Sequence, residues 1–382
     1  MTTVEVLVGI GMARHLPTEQ AGHLALDLAP GHPSQHGALQ LALRLDGSHI
    51  VAAEPRVGLL HRSTEKLFEA RDYRQLMMLA NRHDWLSSFA SELAIALVLE
   101  SSLGITPPER ATWARMLLAE LNRAAAILLL VGTACPGPPD ALQLREASIT
   151  LQEQATGNRI HPMVNRIGGL SLGPTNPWLD RLDAWLDDCR RSLPSIRQHA
   201  EAATEHLAGV AVLTRQVAIE VAASGPVARA SGLRHDVRWD TPYLHYRQVG
   251  LPERNHRTAT EDHCGDIPAR YRELLADLDL AVDLMAASTA TLRDLGDGPI
   301  DVPLPKVVRA PEGLFHGEVE GPLGSIGILL ASAGDRAPHR LKLATPSFGN
   351  VQALANSLVG VHLDDLAAAV MSFFVMCADI DR

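Results

Sequence analysis

The hydrophobic period of this chain changes near residue 58, and that change limits the folds open to it. Between residues 38 and 45, Leu39, Leu41, Leu43 and Leu45 alternate with Gln40, Ala42 and Arg44, the two-residue repeat of a strand with one buried face. Asp46-Gly47 supplies a turn and residues 50–53 a return strand, so this stretch reads as a hairpin. After Gly58 the texture is helical. Thr106-Pro107-Pro108-Glu109 reads as an N-cap, two first-turn prolines and a capping-box carboxylate, opening a helix through Trp113, Leu117 and Leu121 toward Gly132. A helix before it, from about Asp84, stops at Gly104, so the two can lie antiparallel.

Further helices are expected from about Asp140 to a C-cap at Gly157, from Asn176-Pro177 along an amphipathic segment interrupted at Pro194, over residues 267–295, and over residues 363–374. Residues 234–263 are polar, rich in Pro, His and Arg, and read as an irregular excursion of the kind that often forms binding surfaces. Residues 324–331 and 339–343 read as a second β element around Ala333-Gly334-Asp335-Arg336. The expected class is α+β, mainly α, with a helical core flanked by small β elements from both ends. The expected division is an N-terminal β region at 1–57 and a helical domain at 58–382 that includes the C-terminal β element.

Composition excludes several functions. With 34 basic and 44 acidic residues the net charge is −10, and no basic stripe offers the clustered Lys and Arg that phosphate binding needs. Nucleic acid is not an expected partner. Cys135, Cys189, Cys264 and Cys377 are scattered, without a C-x-x-C pair or a histidine at ligand spacing, so no cluster or zinc is expected within the chain. Scattered thiols fit a reducing cytoplasm. No signal peptide is evident, and the most apolar run, residues 124–131, is shorter than the roughly 20 residues of a bilayer span. Membrane association is expected only through partners.

Two segments carry candidate chemistry. In His32-Pro33-Ser34-Gln35-His36-Gly37 a turn projects an imidazole at the mouth of the hairpin, and His61-Arg62-Ser63-Thr64-Glu65-Lys66 places a fixed cation at a helix start. Together they suit a site that handles electrons and protons, since an imidazole titrates near pH 6.5. Pro33 rules out a helical metal pair of His32 and His36, and no H-E-x-x-H occurs. On spacing alone, His36 also reads as a surface-turn histidine, and Arg62 as a surface cation paired with Glu65 one helical turn away.

Gly31 to Asp46 and Gly58 to Lys66 resemble the signature segments of the quinone-site (type-D) subunit of proton-pumping NADH:quinone oxidoreductase (respiratory complex I). The likeness continues through Pro107-Pro108-Glu109-Arg110, Ala119-Glu120-Leu121-Asn122-Arg123, Thr156-Gly157-Asn158-Arg159-Ile160-His161, Asn165-Arg166-Ile167-Gly168-Gly169, Gly225 to Gly232, Trp239 to Tyr243, Glu320-Gly321-Pro322-Leu323-Gly324, Arg340-Leu341-Lys342, Pro346-Ser347-Phe348, Asp364 and Asp379-Ile380-Asp381-Arg382. It is poor before about Leu24 and around residues 135–140.

The resemblance implies that His36 is the catalytic histidine at the quinone headgroup, with His32 and the Trp85 position also lining the quinone site. Trp85 stands where the family has a tyrosine, in Asn81-Arg82-His83-Asp84-Trp85-Leu86-Ser87. An indole N–H donates a hydrogen bond but is no phenol-like proton source, and Trp85 also reads as a packing residue. After Thr133 the family has an aspartate where this chain reads Ala134-Cys135-Pro136-Gly137-Pro138-Pro139, and Asp140 is not equated with it. His61, Arg62 and His161 match positions near a 4Fe-4S cluster held by a partner subunit. No cofactor is implied for this chain itself, NADH binds another subunit, and quinone is the substrate. The implied partners are the cluster-bearing small subunit, other peripheral-arm subunits and proton-translocating membrane-arm subunits, at the cytoplasmic face of the cell membrane. The implied fold is that of the nickel-iron hydrogenase large subunit. Its two C-x-x-C pairs are replaced here by His61-Arg62-Ser63-Thr64 and Cys377-Ala378-Asp379-Ile380, so hydrogenase activity is not expected. The alternative expectation is a structural or assembly paralogue without quinone turnover.

Overall fold

The computed structural model describes residues 4–10, 23–28, 39–135, 140–249 and 264–382. The alternating segment forms β3 (Leu39–Asp46), which pairs antiparallel with β4 (His49–Arg56) across Gly47 at φ 60. Two strands that the sequence did not announce complete this sheet: β1 (Val4–Ile10) and β2 (His23–Leu28), in the order β2-β1-β3-β4. In the β1–β3 register Val6 and Val8 face Leu43 and Leu41, and all four are buried. That shared apolar face selects the register, because a one-residue slip would turn it to solvent.

The helical core is built on the Glu109–Ala134 helix, against which the Asp140–Thr156 and Ile267–Leu295 helices pack. Asn176–Thr204 packs in turn on both of these. Glu109–Ala134 is long and apolar enough to cross a membrane by length and composition, yet 83 % of its most apolar window is buried inside the molecule. The expectation of a short apolar run at 124–131 understated it, because Arg115, Glu120 and Arg123 break the run in sequence while being buried and paired in space.

Several boundaries differ from expectation for identifiable reasons. The helix placed from Asp84 begins at Ser88 instead, because Asp84 is extended and its Oδ1 accepts hydrogen bonds from the Leu86 and Ser87 amides at 3.0 Å each. Thr106 does not cap the next helix, whose N-cap is Pro108 without a side-chain bond. Asn176–Thr204 runs unbroken through Pro194. An interior proline costs a helix about 3 kcal/mol. The buried face of Trp178, Leu182, Trp185, Leu186 and Leu193 offsets this, helped by the indole N–H groups of Trp178 and Trp185 donating to the Leu151 and Leu144 carbonyls at 2.9 Å.

The expected helix at 363–374 is broken: Leu366–Met371 ends before Phe374, which has φ 51. The C-terminal β element has three strands rather than two, β5 (Gly313–Gly321), β6 (Gly324–Ser332) and β7 (Arg340–Ala344), and is followed by a Pro346–Ser357 helix. The irregular excursion is a clasp as far as Val249. Arg238 is fully buried between Asp236 (2.7 Å) and Asp277 (3.1 Å), and Tyr246 donates to Glu120 at 2.6 Å. Residues 250–263 of that excursion lie outside the described residues.

Gly225 marks the tightest join between the helical core and the C-terminal sheet. It has φ +66, and a Cβ there would lie 2.3 Å from the Leu323 carbonyl oxygen. Gly225→Ala is expected to destabilise the purified chain by about 2 kcal/mol or more in urea unfolding, from left-handed strain and the clash together. An unchanged midpoint would refute this account of the join.

Candidate functional site

His32 and His36 lie outside the described residues. His61 and Arg62 lie, both exposed, in the turn that leads into the Thr64–Glu69 helix. That turn is fastened by the C-terminus: Asp381 accepts from the amides of Gly58 (2.6 Å) and Leu60 (2.7 Å), and its carbonyl lies 3.3 Å from His61 Nδ1. Arg62 donates to the Arg82 carbonyl at 3.0 Å. The Arg62–Glu65 pair open at the sequence level is not formed. Glu65 faces Arg340 (2.6 Å), Arg382 (3.4 Å) and Lys342 (3.6 Å) instead.

Arg82, near the end of the Leu76–His83 helix, sends one guanidinium nitrogen to Met163 Sδ at 3.3 Å and another to Asn81 Oδ1. Asn81 in turn donates to Glu92 at 2.6 Å, and Glu92 also accepts from the Met163 amide (2.7 Å) and from the amide (3.2 Å) and side chain (3.3 Å) of Asn165. Ser88 Oγ donates to the Ile160 carbonyl at 2.7 Å. These bonds lay residues 160–165 across the end of the Leu76–His83 helix and put His161 beside Arg82. His161 is half-buried with its Nδ1 in no hydrogen bond. Burial first, and then the charge of Arg82, lower its pKa, with the Asn81 backbone pulling the other way. Arg62, Arg82, Met163 and His161 therefore share one patch: two fixed cations, a thioether and an imidazole biased toward its neutral form. Such groups tune the potential of a redox centre placed beside them.

Trp85 is half-buried in the turn after the Leu76–His83 helix. The hollow it shares with Leu86, Asn122, Arg145, Gln152 and Ile160 measures about 20 Å³, room for about one water, which needs about 10–15 Å³. It is too small for an aromatic ring on that side of Trp85, and residues 29–38, which carry His32 and His36, lie outside the described residues.

Next to Trp85, His83 and Asp84 are buried with Asp379 of the C-terminal Cys377–Ile380 helix, His83 Nε2 lying 3.5 Å from Asp379 Oδ1. Burial and the charge of Asp379 push the Asp84 carboxyl up to about 6. His83 is raised in spite of its burial, chiefly by Asp379.

Arg82, His83, Asp84, Glu92 and Asp379 were not singled out as site residues from sequence. The run Arg82-His83-Asp84 beside Trp85 was the available signal for three of them. Among the described residues no group of three or more His, Cys, Asp or Glu side chains could hold a metal ion.

The family described as the 49 kDa subunit of respiratory-chain NADH dehydrogenase matches residues 140–307 and 301–382. A Salinispora tropica protein, named as a type-D subunit of NADH-quinone oxidoreductase, is 45% identical over 99% of this chain and 97% of its own length. The chain belongs to this family. The like-named protein of Streptomyces coelicolor is 40% identical over 100% of this chain and 99% of its own, and that of Desulfitobacterium hafniense 32% over 96% and 99%. This chain is accordingly a subunit of an oxidoreductase complex of that family.

Because Arg82 is one of the two causes that lower the His161 pKa, Arg82→Gln is expected to raise it toward the ordinary value, with the part due to burial remaining. His161 would then take up its proton at higher pH than in the wild-type chain. An NMR titration of the labelled ring checks this, and an unmoved or lowered midpoint would refute it.

Proposed function

We propose that this chain forms, with a cluster-bearing small subunit, the site where NADH:quinone oxidoreductase reduces quinone, at the cytoplasmic face of the membrane, with proton translocation carried out by membrane-arm subunits. The observation that carries the reading is the meeting of Arg62, Arg82 and His161 on one patch. Electrons reach this patch from a 4Fe-4S cluster held by the partner, and NADH is bound by another subunit. The cations ease electron arrival by stabilising added negative charge, and His161 couples it to a proton. At the quinone, His36 and His32 donate to the headgroup and Trp85 packs against the ring or offers its single N–H. Residues 1–57 are the β region that carries the quinone-facing turn, and 58–382 the hydrogenase-large-subunit-like domain that carries the patch.

In the assembled complex, His161→Met is expected to remove the pH dependence of the partner cluster's potential, or to lower that potential, while assembly survives. A redox titration identical to wild type would sink the placement of His161.

The second reading is a structural or assembly paralogue without turnover, and the small hollow at Trp85 favours it. Trp85→Tyr separates the two. It supplies a hydroxyl able to hydrogen-bond and exchange a proton, so quinone-reductase activity is expected to rise if the site turns over. With no activity in either form of the assembled complex, the paralogue reading holds.

A further inference from the structure

Behind Trp85 lies a set of titratable groups that electron arrival at the Arg62–His161 patch does not use. His83 ends its helix, Asp84 follows it, and Asp379 reaches them from the far end of the chain, each at 2 % exposure or less. Their polar atoms are not saturated: both His83 nitrogens, Asp84 Oδ2, Asp379 Oδ1 and the neighbouring Ser87 Oγ are buried and in no hydrogen bond. Asp84 Oδ1 is engaged by the Leu86 and Ser87 amides at 3.0 Å, so the carboxyl sits inside the tight turn that carries Trp85. Asp379 Oδ2 accepts from the Ser347 amide at 3.2 Å.

The charges acting on Asp84 are those of Asp379 and His83, and those acting on His83 are those of Asp379 and Asp84. Other charged groups on the elements packed here are turned elsewhere. Arg82 points to Met163, Asp381 holds the Gly58 and Leu60 amides, and Arg382 reaches Glu65 and Thr345.

With the imidazole protonated and both carboxylates ionised, the set carries one surplus negative charge. A dry interior penalises that charge, and one added proton cancels it. Asp379 Oδ2 accepts from the Ser347 amide and Oδ1 faces the imidazole, whereas Asp84 Oδ2 is buried with no hydrogen bond to it and only the Ser87 hydroxyl beside the carboxyl. The added proton therefore belongs on Asp84, whose carboxyl is the one raised to about 6.

We propose that His83, Asp84 and Asp379 form a proton-exchange site for the ring reduced at Trp85, with Asp84 as the donor. This rests on the quinone-reducing reading. When two electrons from the partner's cluster reach the quinone, its oxygens require two protons. The Asp84 O–H bond breaks and an O–H bond forms on one ring oxygen, relayed by the Ser87 hydroxyl, which gives up its own hydrogen and takes that of Asp84. The imidazolium of His83 reprotonates Asp84 and is refilled from water. The second proton comes from water.

Two measurements on the assembled complex test this and separate its failure from that of the underlying reading. Infrared difference spectra recorded from about pH 5 to about pH 8 are expected to contain a carboxylic-acid carbonyl band that titrates and that Asp84→Asn removes. His83→Gln should keep the band but move its titration to higher pH, since a nearby cation is lost; it serves also where Asp84→Asn does not assemble.

Quinone reduction should fall at least about tenfold in Asp84→Asn and lose its wild-type pH dependence, while electron delivery to a soluble one-electron acceptor keeps its rate. A band that survives Asp84→Asn, or that fails to move in His83→Gln, overturns the assignment of the proton. Loss of the band with an unaltered quinone pH profile overturns the donor role. A wild-type complex that shows the titrating band but reduces no quinone overturns the quinone-reducing reading and the donor role with it.

Discussion

Glu92 is the interaction on which the geometry of the patch depends. Its side chain is wholly buried, and burial raises its pKa while four hydrogen bonds act against that rise. A buried carboxyl without donors would cost several kcal/mol, so the folded chain must bring those donors to it. They come from two places far apart in sequence: Asn81 on the Leu76–His83 helix, and the amides of Met163 and Asn165 together with the Asn165 side chain. Satisfying one carboxyl thus forces the 160–165 segment onto the helix end. His161 and Arg82 become neighbours as a consequence, with no direct bond between them required.

The last residues of the chain play a comparable part on the other side. Asp381 fixes the Gly58–Ser63 turn and so the position from which Arg62 reaches Arg82. Asp379 lies under His83, and Arg382 closes on Glu65 and Thr345. The terminal turn therefore acts as a wedge between the first helix after the hairpin and the Leu76–His83 helix. Loss of Asp379 would leave the buried Ser347 amide and the buried His83 imidazole without their counterparts, a larger penalty than the bonds themselves are worth. The patch and the groups behind Trp85 are in this sense both products of long-range burial.

Local signals account for what the sequence made legible. The Leu39-to-Leu45 alternation with Asp46-Gly47, the stop at Gly157 and the Ile267–Leu295 helix follow from periodicity, a turn glycine and a C-cap, all readable within a few residues. What was missed depends on distant partners. β5 is the local exception: it alternates only weakly between half-buried and exposed positions, and becomes a strand by pairing with β6, which begins three residues after it ends. Pro194 was read as a break because the packing that outweighs it lies on other helices. Arg62 and Glu65 are suitably spaced for an ion pair, but each finds its partners elsewhere in the chain. His83 and Asp379 come from distant parts of the sequence, and no spacing rule connects them. His61, Arg62, Trp85 and His161 were reached through family resemblance, which singles out positions but does not say which neighbours hold them.

Backbone strain marks the same two segments independently. Ser63, directly after Arg62, has φ 55, and Met163, two residues after His161, has φ 49. Left-handed conformations cost non-glycine residues about 1–2 kcal/mol each and persist only where surrounding bonds over-determine them. At Ser63 those bonds are the Asp381 clamps on the turn before it, and at Met163 the amide bond to Glu92. Glycine at either position would relieve the strain, but at 163 it would also delete the sulfur that receives Arg82. The fold therefore holds unfavourable backbone at both points where a cation or an imidazole is delivered to the patch, and the buried carboxylate of Glu92, with the clamp at Asp381, is what makes that arrangement stable.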